Sequence, residues 1–384
     1  MKILLDFTQI PVDRTGAGVY AENLIQELVH ILSPTDVLFL LIQDDELLVP
    51  QFVDKVANVR VLTIPSRIFR NRAALIFYEQ FLLPWLLSIK SIDVIHSLHY
   101  THPFFSPAAR VVTFHDLTFF LWPQLHTRAR RTIMPIFIRL AWKRAESIIF
   151  VSASTRRDAE KLLPVSKSIR TVIPLGVKSD FFLRFRNDEI QDALQRLNIH
   201  HPYLLFLGTV EPRKNLIRLL HAFEKIAERQ PDCILVIAGK LGWDYEPVIE
   251  TIAASNFRER ILHMGYVSET DKRVLLAGCI MLVYPSLYEG FGLPVLEAMA
   301  AGAPVITSKV SSLPEVAGEA AILIDPESVD QLASAMQLLL DEPVRLNKFK
   351  ELGPERAKIF SWKKTATETY KAYQTAYQHR RRDR

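Results

Sequence analysis

The residues Ile280-Met-Leu-Val-Tyr-Pro-Ser-Leu-Tyr-Glu-Gly-Phe-Gly-Leu-Pro-Val-Leu-Glu-Ala-Met-Ala-Ala-Gly-Ala-Pro-Val-Ile-Thr307 hold one complete strand–loop–helix–strand passage. Ile280–Tyr284 and Pro304–Thr307 are short apolar runs without alternation, as expected of parallel strands covered on both faces. Between them Gly290 and Gly292 bracket Phe291 in a loop where the backbone can approach a ligand closely. Pro294 suits the start of a helix, and Gly302 with Pro304 ends it after about two turns.

The same rhythm continues outward in both directions. Ile3–Phe7, Val37–Ile42, Val94–His96, Val111–Phe114 and Ser147–Val151 form one set of apolar runs, and Tyr203–Leu207 with Ile234–Ala238 join the second set. Helix-period segments lie between them, so the pattern predicts doubly wound α/β units. The polar stretch from Lys178 to His201 reads as the linker. This gives two Rossmann-like domains, residues 1–180 and 200–360, facing across a cleft at the carboxyl ends of their strands. Trp362 to Tyr377 reads as a closing helix with Tyr370, Tyr373 and Tyr377 on one side, within a C-terminal segment 362–384.

The bulk numbers agree with 384 residues in two globular cores: 49% hydrophobic and 23% charged. Four Arg and one Asp in the tail Arg380–Arg384 supply +3 of the formal +5, so basic charge is not spread over a nucleic-acid-binding face. Cys233 and Cys279 each adjoin an apolar run and read as buried thiols in a reducing compartment. No leader is visible, and the most apolar stretch, Ala73–Ile89, is broken by Glu79, Gln80 and Pro84. The expectation is a cytoplasmic protein, placed on or near the inner face of a membrane if Arg67, Arg70, Arg72, Arg128, Arg130 and Arg131, each near apolar residues, meet anionic lipid.

Four places carry chemistry. Gly208-Thr-Val-Glu-Pro-Arg-Lys-Asn215 joins a strand to an amphipathic helix with Leu216, Leu219, Leu220 and Phe223 on one face, and Arg213 with Lys214 would sit at the helix start, where free N–H groups and two cations suit a diphosphate. A solvated basic turn has the same composition. Glu289 and Glu297 flank the helix of the opening passage and could accept hydrogen bonds from two ends of one sugar ligand. Each alone also fits a surface loop or a dipole-complementing helix position. His115 and Asp116 follow a strand end, a ligand-facing place that a structural histidine also occupies. Arg14-Thr-Gly-Ala-Gly-Val-Tyr20 reads as a flexible loop in which Gly16 and Gly18 lack the third glycine of a dinucleotide fingerprint. No Asp-x-Asp pair or metal-spaced cluster is present, and no metal requirement is expected.

In order and spacing these segments resemble the GT-B glycosyltransferases of family 4, the "glycosyl transferases group 1". The shared elements are Glu289…Glu297, the N-terminal glycine segment, His115-Asp116, Ser152-Ala-Ser-Thr155, Ile173–Val177, Glu211–Asn215, Ala238-Gly-Lys240, Gly265-Tyr-Val267 and Ser308–Glu315. The resemblance implies roles. Arg213 and Lys214 would neutralise a donor diphosphate near Gly208, and Glu297 would bind its ribose. Glu289 with the backbone of Phe291, Gly292 and Leu293 would hold the transferred hexose, and His115 would contact that sugar. Gly16 and Gly18 would close over the phosphates, and the base would lie near Gly265. The N-terminal domain would hold a glycan or lipid-linked acceptor. Similarity to mannosyltransferase-like members implies GDP-mannose as donor and a place in cell-surface polysaccharide synthesis, with no other cofactor. Where many members carry paired glycines, this chain reads Gly16-Ala-Gly18.

The implied reaction moves a hexose with retention. Fixed cations would stabilise the leaving phosphate, and a donor phosphate oxygen would take the acceptor proton. Two other readings stand beside it: a catalytically silent nucleotide-sugar-binding partner subunit of the same fold, and an oxidoreductase, which the missing GxGxxG opposes.

Overall fold

The computed structural model describes residues 1–10, 16–53 and 56–382. Two compact units emerge: Met1–Gly176 with Ser361–Arg384, and Val177–Phe360.

The first unit is built on a seven-stranded, all-parallel sheet. Its strands are β1 (Lys2–Asp6), β2 (Val37–Gln43), β3 (Val59–Ile64), β4 (Val94–Ser97), β5 (Ala109–Phe114), β6 (Ser147–Phe150) and β7 (Ile169–Val172), in the order β3-β2-β1-β4-β5-β6-β7. The second unit has six parallel strands: β8 (Tyr203–Leu207), β9 (Ile234–Ala238), β10 (Ile261–Gly265), β11 (Met281–Tyr284), β12 (Val305–Ser308) and β13 (Ile322–Ile324), ordered β10-β9-β8-β11-β12-β13. Both orders step outward from a first strand and then reverse, between β1 and β4 and between β8 and β11. Such a reversal opens a crevice beyond the strand ends.

The central strands are apolar because both their faces are covered: every residue of β5, β8 and β9 is buried. The four strands at the sheet edges, β3, β7, β10 and β13, carry half-exposed or exposed residues instead. In the second unit Leu216, Leu219, Leu220 and Phe223 form the expected buried face of the helix Leu216–Ala227, all within 1% of full burial.

The stretch from Lys178 to His201 is not a linker. The chain changes unit at Gly176/Val177, and the following residues fold into the second unit as a turn Ser179–Phe182 and a helix Asn187–Arg196. Its polar residues form only the outer face; Phe181, Ala193, Leu194 and Ile199 are buried. The closing helix, Trp362–Arg382, belongs to the first unit. Its buried Tyr373 shares a 2.7 Å hydrogen bond with His96, and Thr365 donates to the Pro174 carbonyl at 2.7 Å. Among the described residues no helix is long and apolar enough to cross a membrane.

Candidate active site

Glu289 is the hub of the second unit's candidate site. It follows β11 in the loop that leads to the helix Leu293–Ala301 and is only 8% exposed. Its Oε1 accepts from Lys214 Nζ at 2.6 Å, Ser286 Oγ at 2.7 Å and the Tyr284 hydroxyl at 3.0 Å. Arg213 Nη1 lies 2.7 Å from Oε2, and Arg213 also pairs with Glu211 and donates to the Tyr288 carbonyl, each at 2.7 Å. Burial pushes the Glu289 carboxyl up, but Arg213 and Lys214 outweigh it and bring the pKa to about 2. Burial and the Arg213 charge lower the Lys214 ammonium from its ordinary value. Tyr284 is pushed well above the ordinary tyrosine range, first by burial and then by the Glu289 carboxylate.

Backbone geometry explains why these side chains meet. Pro212–Lys214 forms a single 3₁₀ turn after β8, and Asn215 then takes a left-handed conformation at φ 63°. Asn215 Nδ2 donates to the carbonyls of Pro285 and Pro326 at 3.0 and 2.7 Å, and Leu287 N donates to Arg213 O at 2.9 Å. The two loops are thereby stitched together, and the cation pair is held rather than solvated as a basic turn would be. Behind them Gly208 has φ 143°, and a Cβ on neighbouring Gly239 would fall 1.9 Å from the Gly208 carbonyl oxygen. Only glycine fits that crossing. Gly239 N also donates to Gly265 O at 2.7 Å, which brings the end of β10 into the same strand-end cluster.

Gly292 is the N-cap of the helix Leu293–Ala301, at φ 112° and ψ 49°, a conformation that favours glycine. Ser312 Oγ ties the loop from below, donating to the carbonyls of Glu289 and Phe291 at 2.9 and 2.7 Å, and Glu289 N donates to Ser311 Oγ at 3.0 Å. Phe291 is buried against Phe360, with centroids 5.8 Å apart. The loop therefore presents backbone, with the Phe291 ring turned inward.

Glu297 sits in the buried middle of that helix and is not part of the Glu289 cluster. Lys272 Nζ reaches both its carboxylate oxygens at 3.1 and 3.0 Å and lies 3.0 Å from Glu269. Burial, with Glu269 adding to it, holds the Glu297 carboxyl above its usual range although Lys272 pulls the other way.

Four expected residues lie in the first unit. His115 follows β5, and its Nε2 is hydrogen-bonded to the Leu98 carbonyl at 2.8 Å. Burial lowers its pKa, so the ring is held toward the neutral form. Asp116 is occupied locally: its Oδ1 accepts from Thr118 N at 3.0 Å and Thr118 Oγ1 at 2.7 Å, and from the Tyr100 hydroxyl at 3.1 Å. Gly16 and Gly18 are not in a flexible loop. The helix Gly16–Ile31 begins at Gly16, and Gly18 is buried in its first turn. Arg14 and Thr15 of that segment lie outside the described residues.

Sequence reading missed Tyr284, Ser311, Ser312 and Lys272. Tyr284 carried a usable signal, being the last residue of a central strand. Lys272, on the helix Glu269–Gly278, carried none, because only the fold brings it to Glu297. His99 was also missed; it lies 6.1 Å from His115 between ring centroids, and burial brings its pKa to about 3.

This geometry has clear relatives. The family description "Glycosyltransferase Family 4" matches residues 14–181, and "Glycosyl transferases group 1" matches residues 188–356. The O-antigen chain mannosyltransferase B of Escherichia coli is 35% identical over 268 residues, 68% of this chain and 69% of that protein. The MMP alpha-(1->4)-mannosyltransferase of Mycolicibacterium hassiacum is 32% identical over 60% of this chain and 54% of its own length. Among solved structures, the sucrose-phosphate synthase of Thermosynechococcus elongatus matches with a TM-score of 0.78 at 20% identity, over 98% of this chain and 99% of that one. HepE of Anabaena, solved with UDP-glucose, gives 0.77 at 16% identity over 98% and 100%. The structural likenesses establish the GT-B architecture of two doubly wound α/β units. The sequence matches carry the assignment further: this chain belongs to glycosyltransferase family 4, the glycosyl transferases group 1, and is a glycosyltransferase.

Proposed function

We propose that the protein is a retaining, metal-independent mannosyltransferase that takes mannose from GDP-mannose and adds it to a lipid-linked glycan during O-antigen-type polysaccharide synthesis at an anionic membrane. The observation that carries this reading is the Arg213–Lys214–Glu289 cluster, in a chain 35% identical to an O-antigen chain mannosyltransferase. The two cations are fixed by loop-to-loop hydrogen bonds before any donor arrives, as preorganised stabilisation of a leaving diphosphate requires. They supply positive charge where a divalent ion would otherwise be needed.

Glu289 and Glu297 are clamps rather than an acid–base pair. Glu289 is held ionised at about 2 and is suited to accept hydrogen bonds from hexose hydroxyls, not to donate a proton. Glu297, with Lys272 behind it, is suited to the ribose. Gly208, Gly265, Phe291, Gly292 and Leu293 offer backbone to the phosphates and base, while His115, Gly16 and Gly18 serve the sugar and phosphates from the first unit. In this reading a donor phosphate oxygen takes the acceptor proton.

The test is a thermal-shift screen of the purified protein against GDP-mannose, UDP-glucose and ADP-glucose, followed by transfer to a lipid-linked acceptor in EDTA. At 100 times its Kd the true donor adds about 2.7 kcal/mol of apparent stability. GDP-mannose should give the largest shift and an α-linked product that forms unchanged in EDTA. A larger shift with another nucleotide sugar, a β-linked product or loss of transfer in EDTA would each overturn the corresponding part.

A further inference from the structure

The first unit carries a cavity of about 620 Å³ at the strand edge opposite to His115. Arg110 stands at the start of β5 and Glu146 just before β6, whereas His115 lies past the end of β5. Arg110, Arg144 and Arg380 line the cavity, and Trp85 and Phe105 form its rim. Glu146 Oε1 is shared by Arg110 Nη2 at 3.0 Å and Arg380 Nη1 at 2.7 Å. Arg380 Nη2 donates to the Ser106 carbonyl at 2.6 Å. Arg144 donates to the Phe104 carbonyl at 3.2 Å and lies 5.1 Å from the Phe105 ring centre. Three guanidinium groups thus face one carboxylate, and the cavity keeps a net positive charge.

The rim is apolar and open to solvent: Trp85 is 67% exposed and Phe105 74%. Trp85 belongs to a longer row. Phe77, Phe81, Trp85 and Ile89, each four residues from the next, are all more than half exposed. Within the apolar stretch Leu75–Tyr78 that follows Arg67, Arg70 and Arg72, Leu75 and Tyr78 turn into the core while Phe77 faces solvent. Over residues 66–91 the basic residues Arg67, Arg70, Arg72 and Lys90 stand against one acid, Glu79, which is buried.

A soluble phosphorylated ligand would use the guanidinium groups but leave this row in water. A bilayer surface satisfies both at once, because aromatic side chains settle at the headgroup level while cations meet lipid phosphate. We propose that the cavity binds the phosphate headgroup of an anionic membrane phospholipid. Arg144 and Arg380 would take the phosphate oxygens, and Trp85, Phe105 and Phe81 would lie in the interfacial layer. The site deepens the membrane contact proposed above and leaves the donor and acceptor assignments untouched.

The test is co-sedimentation of the full chain with phosphatidylcholine vesicles, with and without phosphatidylglycerol, at low salt. Wild-type protein should sediment with the anionic vesicles and be released by salt. Arg144→Gln should weaken the partition about fivefold, the worth of one basic residue near a charged surface. The double variant Trp85→Ser with Phe105→Ser should weaken it more than about tenfold through lost apolar contact. Val344→Ser, on the exposed surface of the second unit, should leave it unchanged. The GDP-mannose thermal shift, measured on every variant, separates the two readings and should match wild type. Unaltered vesicle binding by the cavity variants, or equal binding to uncharged vesicles, would each overturn the proposal.

Discussion

Glu289 and Glu297 are eight residues apart, equally buried at 8% exposure, and each meets a lysine ammonium within about 3 Å. Yet their carboxyl groups are displaced in opposite directions, Glu289 to about 2 and Glu297 above its usual range. Burial opposes ionisation in both, so the difference lies in the company each keeps. Around Glu289 two cations, Arg213 and Lys214, stand against two carboxylates, Glu211 and Glu289. Around Glu297 the ammonium of Lys272 is divided between Glu297 and Glu269, and Lys178 adds a smaller pull. A balanced cluster fixes its charges before the ligand comes. A cluster whose nearest cation is shared with a second carboxylate leaves burial the larger effect, and its carboxyl stays above the usual range. The same residue type, at matched depth, serves as a rigid anchor in one place and a yielding one in the other.

The sharpest break of this comparison is Glu289→Gln. It leaves Lys214 and Arg213 facing a neutral amide, and removing one partner of a buried pair costs about 3–5 kcal/mol. The sign with pH follows from the folded pKa of about 2 against an ordinary 4.5. Stability from Glu289 is complete above about 4.5 and is lost as pH falls towards 2. Urea unfolding of wild type and variant should therefore differ most at pH 7 and converge by pH 2 to 3. A constant gap across that range would mean that Glu289 contributes by packing and not by charge.

Arg213→Ala and Lys214→Ala come next. Each should lower kcat about 100-fold or more, by loss of a fixed cation at the leaving phosphate. Near-normal turnover in both would remove the electrostatic role and with it the meaning of the balanced cluster.

How far this contrast could be read from sequence depends on what each part touches. The strands missed by the apolar-run pattern, β3, β7, β10 and β13, are the four sheet edges. An edge strand has one solvated side, so Val59–Ile64 mixes Arg60 and Thr63 with its apolar residues, and Ile169–Val172 has no buried residue. Continuous apolarity marks only the covered middle of a sheet. The Glu289 anchor was legible because Arg213, Lys214 and Ser286 lie past strand ends, where a doubly wound sheet gathers its ligand groups. The Glu297–Lys272 pair was not, since it joins the middle of one helix to the first turn of another through a packing angle that no local spacing encodes. Asn187–Arg196 reads as linker in sequence because the exposed face of an amphipathic helix, seen without its buried face, has a linker's composition.

Lys272→Met sharpens the comparison at its other pole. Loss of the contacting ammonium should push the Glu297 carboxyl further up, leaving Lys178 and Glu269 as the charges facing it. Donor KM should rise about tenfold near neutral pH, the worth of one charge-assisted hydrogen bond, with kcat little changed. The penalty should shrink as pH is raised and Glu297 ionises. A penalty equal at every pH would assign Lys272 to the framework alone.

The smallest effect is the one that separates the two carboxylates most directly. Glu297→Gln removes a group whose folded pKa is raised, so the native state gives up that proton less readily than the unfolded chain. Below about pH 4.5 the carboxyl is protonated in both states, and the amide should be neutral for stability. As pH rises past the folded pKa, wild type must ionise a buried carboxylate that Lys272 only partly compensates. The variant escapes that cost, while Lys272 keeps Glu269 at 3.0 Å as its partner. Its thermal midpoint at pH 8 should therefore equal or slightly exceed that of wild type, even as donor KM rises. A loss as large as that of Glu289→Gln would make the two glutamates equivalent and end the distinction between a rigid and a yielding anchor.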